Sequence, residues 1–268
     1  MRWTTRVTVR FSAAIENMEK TTRVLFVSGE IEPFVSASEI ATIARYLPQH
    51  LHESGSFEVR IMVPRYGTIS ERRNRLHEVI RLCGTPVKMG SRTEILKVKV
   101  ASIPGIRMQV YFMDNNHFFK RKGLHKDKQG VVFEDNAARS LFFARAVLET
   151  VRKLRWKPDV VHAFGWISGM VPLLVSDELQ GDELLQGAKV VYTPDDIEAQ
   201  ATLTSDLIST MNLSPNGEAA GLSLRDIGIR HAHVTAFPSS VTPETDRHVQ
   251  FSAERESMVA QAIELYSA

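Results

Sequence analysis

The chain has 268 residues and a formal net charge of +2, and 43% of its residues are hydrophobic while 24% are charged. This balance is typical of a globular protein with enough apolar material for one large α/β domain or two small ones. So small a net charge gives no field that favours nucleic acid or an anionic membrane as a partner. The single cysteine, Cys83, excludes an internal disulfide and an all-cysteine metal site, and it fits a reducing compartment such as the cytoplasm. No stretch reaches the roughly 18 apolar residues of a membrane span.

Residues 1–20 form a basic extension in which three arginines precede the first acidic residue, Glu16. Because no apolar segment follows these arginines, they do not belong to a secretory signal. They are compatible with an organellar transit peptide, but we favour the alternative that translation begins at Met18. We therefore expect residues 1–20 to be disordered or not translated, and residues 21–268 to form a single domain.

The segment from Arg23 to Tyr66 predicts a βαβ unit. An apolar strand at Val24–Val27 leads into a loop at Ser28–Ser38, and a second strand runs over Phe57–Val63. Between them, apolar residues recur at helical spacing, namely Ile40, Ile43, Ala44 and Leu47. A short apolar strand that feeds a loop and a helix is how nucleotide sites begin, so this loop is the first place to look for a site.

The helix of this unit begins with Ser36 and Glu39, which have the spacing of a capping box. In such a box the helix satisfies its own first amides, and a carboxylate at Glu39 would repel a phosphate. Loops that hold a diphosphate instead use glycine for close backbone approach and free helix amides for charge. We therefore expect an ordinary helix start here.

The middle of the chain predicts β-hairpins added to a parallel sheet. Strand-like runs lie at Glu78–Leu82, Ile95–Ala101 and Ile106–Met113, and turn signals such as Pro104-Gly105 separate them. The connection His117–Lys128 that follows is basic and contains aromatic residues, a composition that can bind nucleic acid. A surface loop is the simpler interpretation.

Helices and strands alternate over the rest of the chain, which predicts an α/β fold with a Rossmann-like, doubly wound and mostly parallel sheet. In chain order the patterns are a helix over Asp135–Leu154, a strand over Asp159–Ala163, a helix from Trp166, a strand over Ala188–Thr193, helices within Ala199–Gly217 and over Leu222–Ala232, a strand over His233–Phe237 and a helix over Ser252–Tyr266. Asp195 and Asp196 follow one of these strands, and paired carboxylates are compatible with a metal or an acid–base site. We favour a helix cap for them, because no histidine or cysteine cluster supports a metal.

Three stretches of the chain resemble the ADP-glucose-dependent glycogen synthases of bacteria and starch synthases of plants. They read VLFVSGEIEPF, VRIMVPRY and PDVVHAFGW, and Asp135, Asn136 and Arg139 match a D-N-x-x-R-F motif of the same family. The resemblance covers about residues 22–245. These enzymes have a GT-B fold, in which the active site lies in the cleft between two Rossmann-like domains. The resemblance therefore implies that this chain is one half of a GT-B fold.

The chain departs from the family's pattern at positions that face the substrates in its relatives. The departing residues are Ser36, Ala37, Ser38, Glu39, Phe164, Gly165, Ile167, Asp195 and Asp196. They stand where the family has Lys-Thr-Gly-Gly, then histidine, aspartate and histidine, and then histidine and asparagine. Cations and hydrogen-bonding groups have been exchanged for apolar side chains, a glycine and carboxylates, so the departures imply a sugar-nucleotide pocket that is closed to its ligand.

The resemblance and the residue patterns together give one set of candidate site residues. The substrate-binding candidates are Ser28, Glu30, Ser36, Ser38, Glu39, Asp135, Asn136, Arg139, His162, Gly165, Trp166, Asp195 and Asp196. His162 is also the catalytic candidate, although a histidine on a buried strand is more often a satisfied core residue. By resemblance the helix start at Asp135 borders the acceptor sugar, and the alternative is a helix cap followed by a solvent-facing or salt-bridged arginine. We expect no metal and no cofactor, because transfer in this family needs no metal.

Three functions from different classes stay open at this point. We favour a noncatalytic glycogen-synthase-like domain that acts as a glycan-binding, regulatory or interaction module, because the second GT-B domain has no counterpart here. The second is an ADP-glucose-dependent glucosyltransferase that is completed by a partner chain or by self-association. The third is an unrelated enzyme that uses Asp195, Asp196 or His162 on the same scaffold. The expected partners are an α-glucan or a sugar nucleotide, and a second Rossmann-like chain or another copy, but neither nucleic acid nor a membrane.

Overall fold

The computed structural model describes residues 21–178, 182–197, 201–213, 219–243, 245 and 248–267. The basic extension over residues 1–20 lies outside the described residues, so its boundary with the domain stays a prediction. In the part of the chain that is described, no helix has both the length and the apolar character needed to cross a bilayer.

Ten strands make up the sheet of the described residues. In chain order they are β1 (Thr22–Ser28), β2 (Phe57–Pro64), β3 (His77–Glu78), β4 (Thr85–Met89), β5 (Arg92–Ser102), β6 (Gln109–Asp114), β7 (Val160–Phe164), β8 (Lys189–Thr193), β9 (Val234–Phe237) and β10 (His248–Gln250). The helices are α1 (Glu39–Glu53), α2 (Asn116–Phe119), α3 (Asn136–Leu154), α4 (Met170–Leu173), α5 (Ser205–Thr210), α6 (Leu224–His231) and α7 (Arg255–Ser267). Short 3₁₀ turns lie at Ile80–Leu82 and Trp166–Ser168, and a π turn at Leu174–Glu178 follows α4.

The strand order in the sheet is β10-β9-β8-β7-β1-β2-β6-β5-β3, with β4 paired to β5. From β10 to β6 every neighbouring pair is parallel, whereas β3, β4 and β6 each run antiparallel to β5. The chain proceeds from β1 through β2 to β6 on one side, and then returns to the other side of β1 with β7. The strand order therefore reverses between β1 and β7, the point at which doubly wound sheets place their ligands. This topology confirms the α/β, mostly parallel sheet with a hairpin excursion.

The core is built around β1, because Val24–Val27 are fully buried. A continuous apolar strand of this kind is covered on both faces. α1 buries Ile40, Ile43 and Leu47, and α3 buries its two phenylalanines, Phe142 and Phe143. Full burial of each such side chain contributes about 1.5–3 kcal/mol. This packing fixes the carboxyl ends of β1 and β7, from which the candidate site projects.

Some predicted boundaries were wrong. The run Glu78–Leu82 is not one strand, since β3 covers only His77–Glu78 and a 3₁₀ turn follows. β4 lies where the sequence indicated only turns, and its residues alternate between buried and exposed, as expected for a strand with one face against the core. β10 was not predicted, and α5 occupies only Ser205–Thr210 of the helix expected within Ala199–Gly217, a range that is partly outside the described residues.

Candidate functional site

The candidate site lies where the strand order reverses. Ser28, the last residue of β1, pairs with Phe164, the last residue of β7. The loop after β1 begins with Gly29 and Glu30, and the turn after β7 begins with Gly165. Because the carboxyl ends of parallel strands lie at one edge of the sheet, these loops meet the segment that follows β8 at the same edge.

The carboxylate of Glu30 occupies the N-terminus of α1. Glu30 is only 3% exposed. One of its oxygens accepts hydrogen bonds from the backbone amides of Ala37 and Ser38, and the other accepts one from the Ser38 hydroxyl at 3.1 Å. A helix N-terminus attracts anions through its free amides and its dipole. In this chain, the anion bound at the N-terminus of α1 is the Glu30 carboxylate itself.

The expected capping box at Ser36 and Glu39 was wrong. The N-cap of α1 is Ser38, whose hydroxyl oxygen accepts from the Ile40 amide at 3.2 Å. Ser36 instead donates to Glu32 at 3.4 Å. Because Glu30 already holds the amides of Ala37 and Ser38, the helix begins later than the local pattern indicates.

Glu39 does not cap its own helix, and its side chain contacts the segment after β9. Its carboxylate accepts hydrogen bonds from the hydroxyls of Ser239 and Ser240. These residues lie two hundred positions away in the chain. The first residue of α1 therefore ties the loop after β9 to the entrance of the candidate site.

His162 is a core residue, as the simpler interpretation held. It has no exposed surface, its Nδ1 is hydrogen-bonded to the Tyr266 hydroxyl at 2.5 Å, and its Nε2 is hydrogen-bonded to the Thr193 hydroxyl at 2.7 Å. Burial lowers the pKa of His162 well below its ordinary value, so the ring is neutral. A neutral imidazole has one donor and one acceptor, and both ring nitrogens are engaged. Nothing in this geometry leaves His162 free for proton transfer to a ligand.

Phe164 takes the position after this histidine and has become part of the core. Its ring lies 3.9 Å from the His162 ring and 5.8 Å from the Phe26 ring, stacked on both. The side chain has no exposed surface. The position at which the resemblance implied a substrate-facing histidine is therefore filled by packing.

Gly165 and Asp195 share one space at the end of β7. The backbone of Gly165 has φ +73° and ψ 173°, a combination open almost only to glycine. A Cβ atom built on it would lie 2.6 Å from Oδ2 of Asp195. The carboxyl of Asp195 thus fills the volume that a side chain at position 165 would need.

Asp195 is 3% exposed and its carboxyl is not a helix cap, because Pro194–Ile197 is not helical. Its Oδ2 accepts a hydrogen bond from the backbone amide of Trp166 at 3.2 Å. Burial raises the pKa of Asp195 to about 7, with further contributions from the negative charges of Glu30 and Asp196. Asp196 itself is exposed.

The start of α3 is held by hydrogen bonds within the protein. Asp135 stands at the N-cap position, but its carboxylate does not cap the helix and is bound by both terminal nitrogens of Arg121. Asn136, 1% exposed, donates to the carbonyl of His125 at 2.8 Å. The alternative of a capped helix with an exposed arginine was therefore wrong for Arg139, which is fully buried.

Arg139 serves the fold of the preceding loop. Its Nε donates to the Phe118 carbonyl at 2.9 Å and its Nη1 donates to the Leu124 carbonyl at 2.6 Å. The guanidinium also lies 5.1–6.0 Å from three aromatic ring centroids, those of Tyr66, Phe119 and Phe133. Of the remaining candidates, Ser28 donates to the Glu30 carbonyl at 2.6 Å and Trp166 is 4% exposed.

Sequence reasoning missed two residues that shape the site. A Cβ on Gly29 would lie 2.7 Å from Cγ2 of Ile167, so the loops after β1 and β7 touch at this glycine. The hydroxyl oxygen of Tyr66 would lie 3.7 Å from the same Cβ, and burial raises the pKa of Tyr66. The position of Gly29 directly after β1 was the available signal. Among the described residues, no three histidine, cysteine or acidic side chains are grouped to hold a metal ion.

The family model described as starch synthase catalytic domain matches residues 23–237. The glycogen synthase of Chlorobium limicola is 41% identical over 182 residues, which cover 68% of this chain and 37% of that protein. The glycogen synthase of Chlorobaculum tepidum is 36% identical over 235 residues, which cover 85% of this chain and 46% of that protein. The chain thus spans less than half the length of these two relatives.

A solved structure supports the same fold. The catalytic domain of starch synthase IV from Arabidopsis thaliana, bound to ADP and acarbose, superposes with a TM-score of 0.69 at 20% identity. The superposition covers 92% of this chain and 50% of that chain, which confirms the fold as one half of a starch synthase catalytic domain. At this identity the likeness concerns the fold alone. Together with the family match over residues 23–237, it shows that the chain belongs to the glycogen and starch synthase family.

Proposed function

We propose that this domain is a noncatalytic glycogen-synthase-like module of the cytoplasm that binds a glycan or a protein partner and does not transfer glucose by itself. The observation that carries the proposal is the closed start of α1, where the departing residue Ser38 caps the helix and binds the Glu30 carboxylate through both its amide and its hydroxyl. A diphosphate at the N-terminus of α1 would have to displace this carboxylate. It would also meet Glu39, an exposed carboxylate in the first turn of α1.

A second observation supports the proposal from the opposite wall of the site. Phe164 is stacked in the core and Gly165 has no side chain, while Asp195 adds a carboxyl to the same volume. Catalysis by transfer from a sugar nucleotide depends on donors and cations that stabilise the leaving diphosphate. Of the described side chains that touch this volume, Glu30 brings a negative charge and Asp195 brings a buried carboxyl, and neither supplies the cation that this task needs.

Binding and transfer assays on the full chain test the proposal. Titration calorimetry with ADP-glucose is expected to show no binding, whereas a maltooligosaccharide is expected to bind if the module is glycan-directed. Incubation with ADP-glucose and glycogen is expected to give no glucose transfer. Binding of ADP-glucose together with transfer by the chain alone would overturn the proposal.

A restoring variant makes the negative result informative. The triple change Ser36→Lys, Ser38→Gly and Glu39→Gly returns a cation and backbone freedom to the start of α1. We expect this variant to gain measurable ADP affinity, because it removes the Ser38 hydroxyl that helps to hold Glu30 on the helix amides and places a cation beside them. The control Ser70→Lys adds a lysine at another exposed serine, away from the start of α1, and should gain no ADP affinity.

A second candidate function is a glucosyltransferase completed by a partner. What favours it is the preserved start of α3, in which Asp135 and Asn136 are fixed by Arg121 and the His125 carbonyl. We expect that, if this function holds, activity arises only when a second Rossmann-like chain is added. Mixing the chain with the second half of a related glycogen synthase tests this, and no activity in any mixture would leave the noncatalytic module as the function.

A further inference from the structure

The carboxyl of Asp195 joins the segment after β8 to the turn after β7. Its Oδ2 accepts the Trp166 amide at 3.2 Å, and it lies in the space beside Gly165. Its other oxygen, Oδ1, is buried and has no hydrogen-bond partner among the described residues. A buried carboxyl that is only half satisfied is costly in its charged form.

Among the described residues, the groups that act on Asp195 include no direct counter-ion. Glu30 approaches from the loop after β1 and Asp196 from its own segment, and both act on it as negative charges. Two tyrosines, Tyr66 after β2 and Tyr192 on β8, sense the Asp195 charge and are themselves buried. From α6, Arg225 and Asp226 act on Tyr192, and His125 lies against the ring of Trp166 at 6.3 Å.

The balance of these effects favours an uncharged carboxyl. The amides of Trp166 and Ile197 both lower the pKa of Asp195, yet burial outweighs them and raises it to about 7. An ionised Asp195 regains hydration when water reaches it, and movement of the turn after β7 away from the carboxyl would admit that water. Protonation and closure of this turn are therefore linked.

We propose that Asp195 is a proton-operated latch, which in its uncharged form holds the turn Gly165–Ser168 closed over the end of β7 and in its ionised form releases that turn to water. The step is a simple proton transfer, in which the carboxyl proton leaves to solvent as the turn opens. The turn borders the candidate site through Ile167, so the latch sets how often that side of the site opens. The inference does not depend on what the site binds.

The sign of the pH dependence follows from linkage. In the open state Asp195 has the pKa of a solvated aspartate, about 3.9, whereas in the closed state its pKa is about 7. Between these values the closed state holds a proton that the open state has lost. The opening constant therefore increases about tenfold per pH unit from near pH 4 to near pH 7 and is constant above that.

Amide hydrogen exchange at Trp166 measures this opening directly. After correction for the intrinsic exchange rate, we expect the opening constant of the Trp166 amide to increase about 50-fold from pH 5 to pH 7 and by no more than about twofold from pH 7 to pH 8. The amide of Val161, in the middle of β7, reports on unfolding of the sheet and serves as the internal reference. If the latch operates, the opening constant of the Trp166 amide changes with pH by a larger factor than that of the Val161 amide.

Three variants separate Asp195 from its neighbours. Asp195→Asn is uncharged and keeps an oxygen for the Trp166 amide, so we expect the pH dependence at Trp166 to vanish. Glu30→Gln removes a facing negative charge, so the level region should begin at a lower pH. His125→Gln should leave the pH dependence in place, because protonation of His125 at low pH would increase the opening constant, whereas protonation of Asp195 decreases it. An opening constant at Trp166 that does not change with pH, that keeps its slope in Asp195→Asn, or that follows Val161 would overturn the latch.

Discussion

At the residue scale, the wall of the candidate site at the end of β7 is formed by packed side chains. Phe164 keeps the strand and adds a ring that stacks on His162. Gly165 has no side chain, and the Asp195 carboxyl occupies the space in which one would lie. Both residues are compatible with the strand that carries them, and neither side chain offers a hydrogen-bonding group at this edge of the sheet.

The pair formed by Gly165 and Asp195 can be tested by mutation. Gly165→Ala forces an alanine into a backbone region that costs about 1–3 kcal/mol and places its Cβ 2.6 Å from a short, buried side chain. We expect urea unfolding to show a total loss on the order of 2–4 kcal/mol.

The control for this change is Gly187→Ala, because Gly187 also has a positive φ, +81°, but has nothing within 4 Å of its Cβ position. It should show the backbone cost alone. Adding Asp195→Gly to Gly165→Ala should recover the difference between the two glycine sites, and equal losses at Gly165 and Gly187 would contradict a shared space.

At the element scale, α7 is fastened to the sheet through the partner of His162. Tyr266 is buried and its hydroxyl is hydrogen-bonded to Nδ1 of His162, while Lys189 donates to the Leu265 carbonyl at 2.6 Å. Tyr266→Phe leaves a buried ring nitrogen without a partner, which costs about 1–3 kcal/mol. Chemical denaturation should show this loss, and Tyr111→Phe, at a half-buried tyrosine of β6, should cost less. Equal effects would mean that the His162 contact does not hold α7.

The start of α1 gives the clearest test of local pattern against structure. Ser38 is the N-cap and Ser36 is exposed with a hydrogen bond of 3.4 Å to Glu32. We therefore expect Ser38→Ala to lower the free energy of unfolding by about 1 kcal/mol, the usual value for loss of a cap. Ser36→Ala is the matched control and should change it by less than about 0.5 kcal/mol. The capping box read from the sequence requires the reverse ranking.

These elements also show what the sequence could and could not predict. The βαβ unit, the long helix and the doubly wound sheet were predictable, because hydrophobic period and turn residues are local signals. The contacts that decide the site are not local. Glu30 reaches the amide of Ser38, Glu39 reaches Ser239, and His162 reaches Tyr266, and each contact depends on how the loops cross at the sheet edge. No sequence periodicity encodes such crossings. The sequence therefore predicted a capping box at Ser36 and Glu39, whereas in the structure Glu30 accepts hydrogen bonds from the amides of Ala37 and Ser38.

At the scale of the whole molecule, two buried groups give opposite contributions to the pH dependence of stability. Burial lowers the pKa of His162, so the unfolded state binds the extra proton as the pH falls below about 6.5, and stability is lost on that side. Burial raises the pKa of Asp195 to about 7, so the folded state holds the extra proton between about pH 4 and pH 7. Stability from Asp195 is therefore lost as the pH increases through this window.

Because the two slopes have opposite signs and each is about 1.4 kcal/mol per pH unit, they cancel over much of the window that they share. Asp195→Asn removes one of them. The difference in unfolding free energy between Asp195→Asn and the parent chain should be near zero at pH 4, increase steadily, and level off above pH 7 at a value on the order of 4 kcal/mol. The difference cancels every other titrating group that the two chains share, so urea unfolding at pH 4, 5, 6, 7 and 8 measures Asp195 alone. Asp196→Asn is the matched control at an exposed neighbour; it keeps the Asp195 carboxyl and should give a smaller difference than Asp195→Asn. A flat profile for Asp195→Asn would mean that the Asp195 carboxyl is ionised in the folded protein at every pH tested. The negative charges of Asp195, Glu30 and Asp196 would then require a cation near the edge of the sheet.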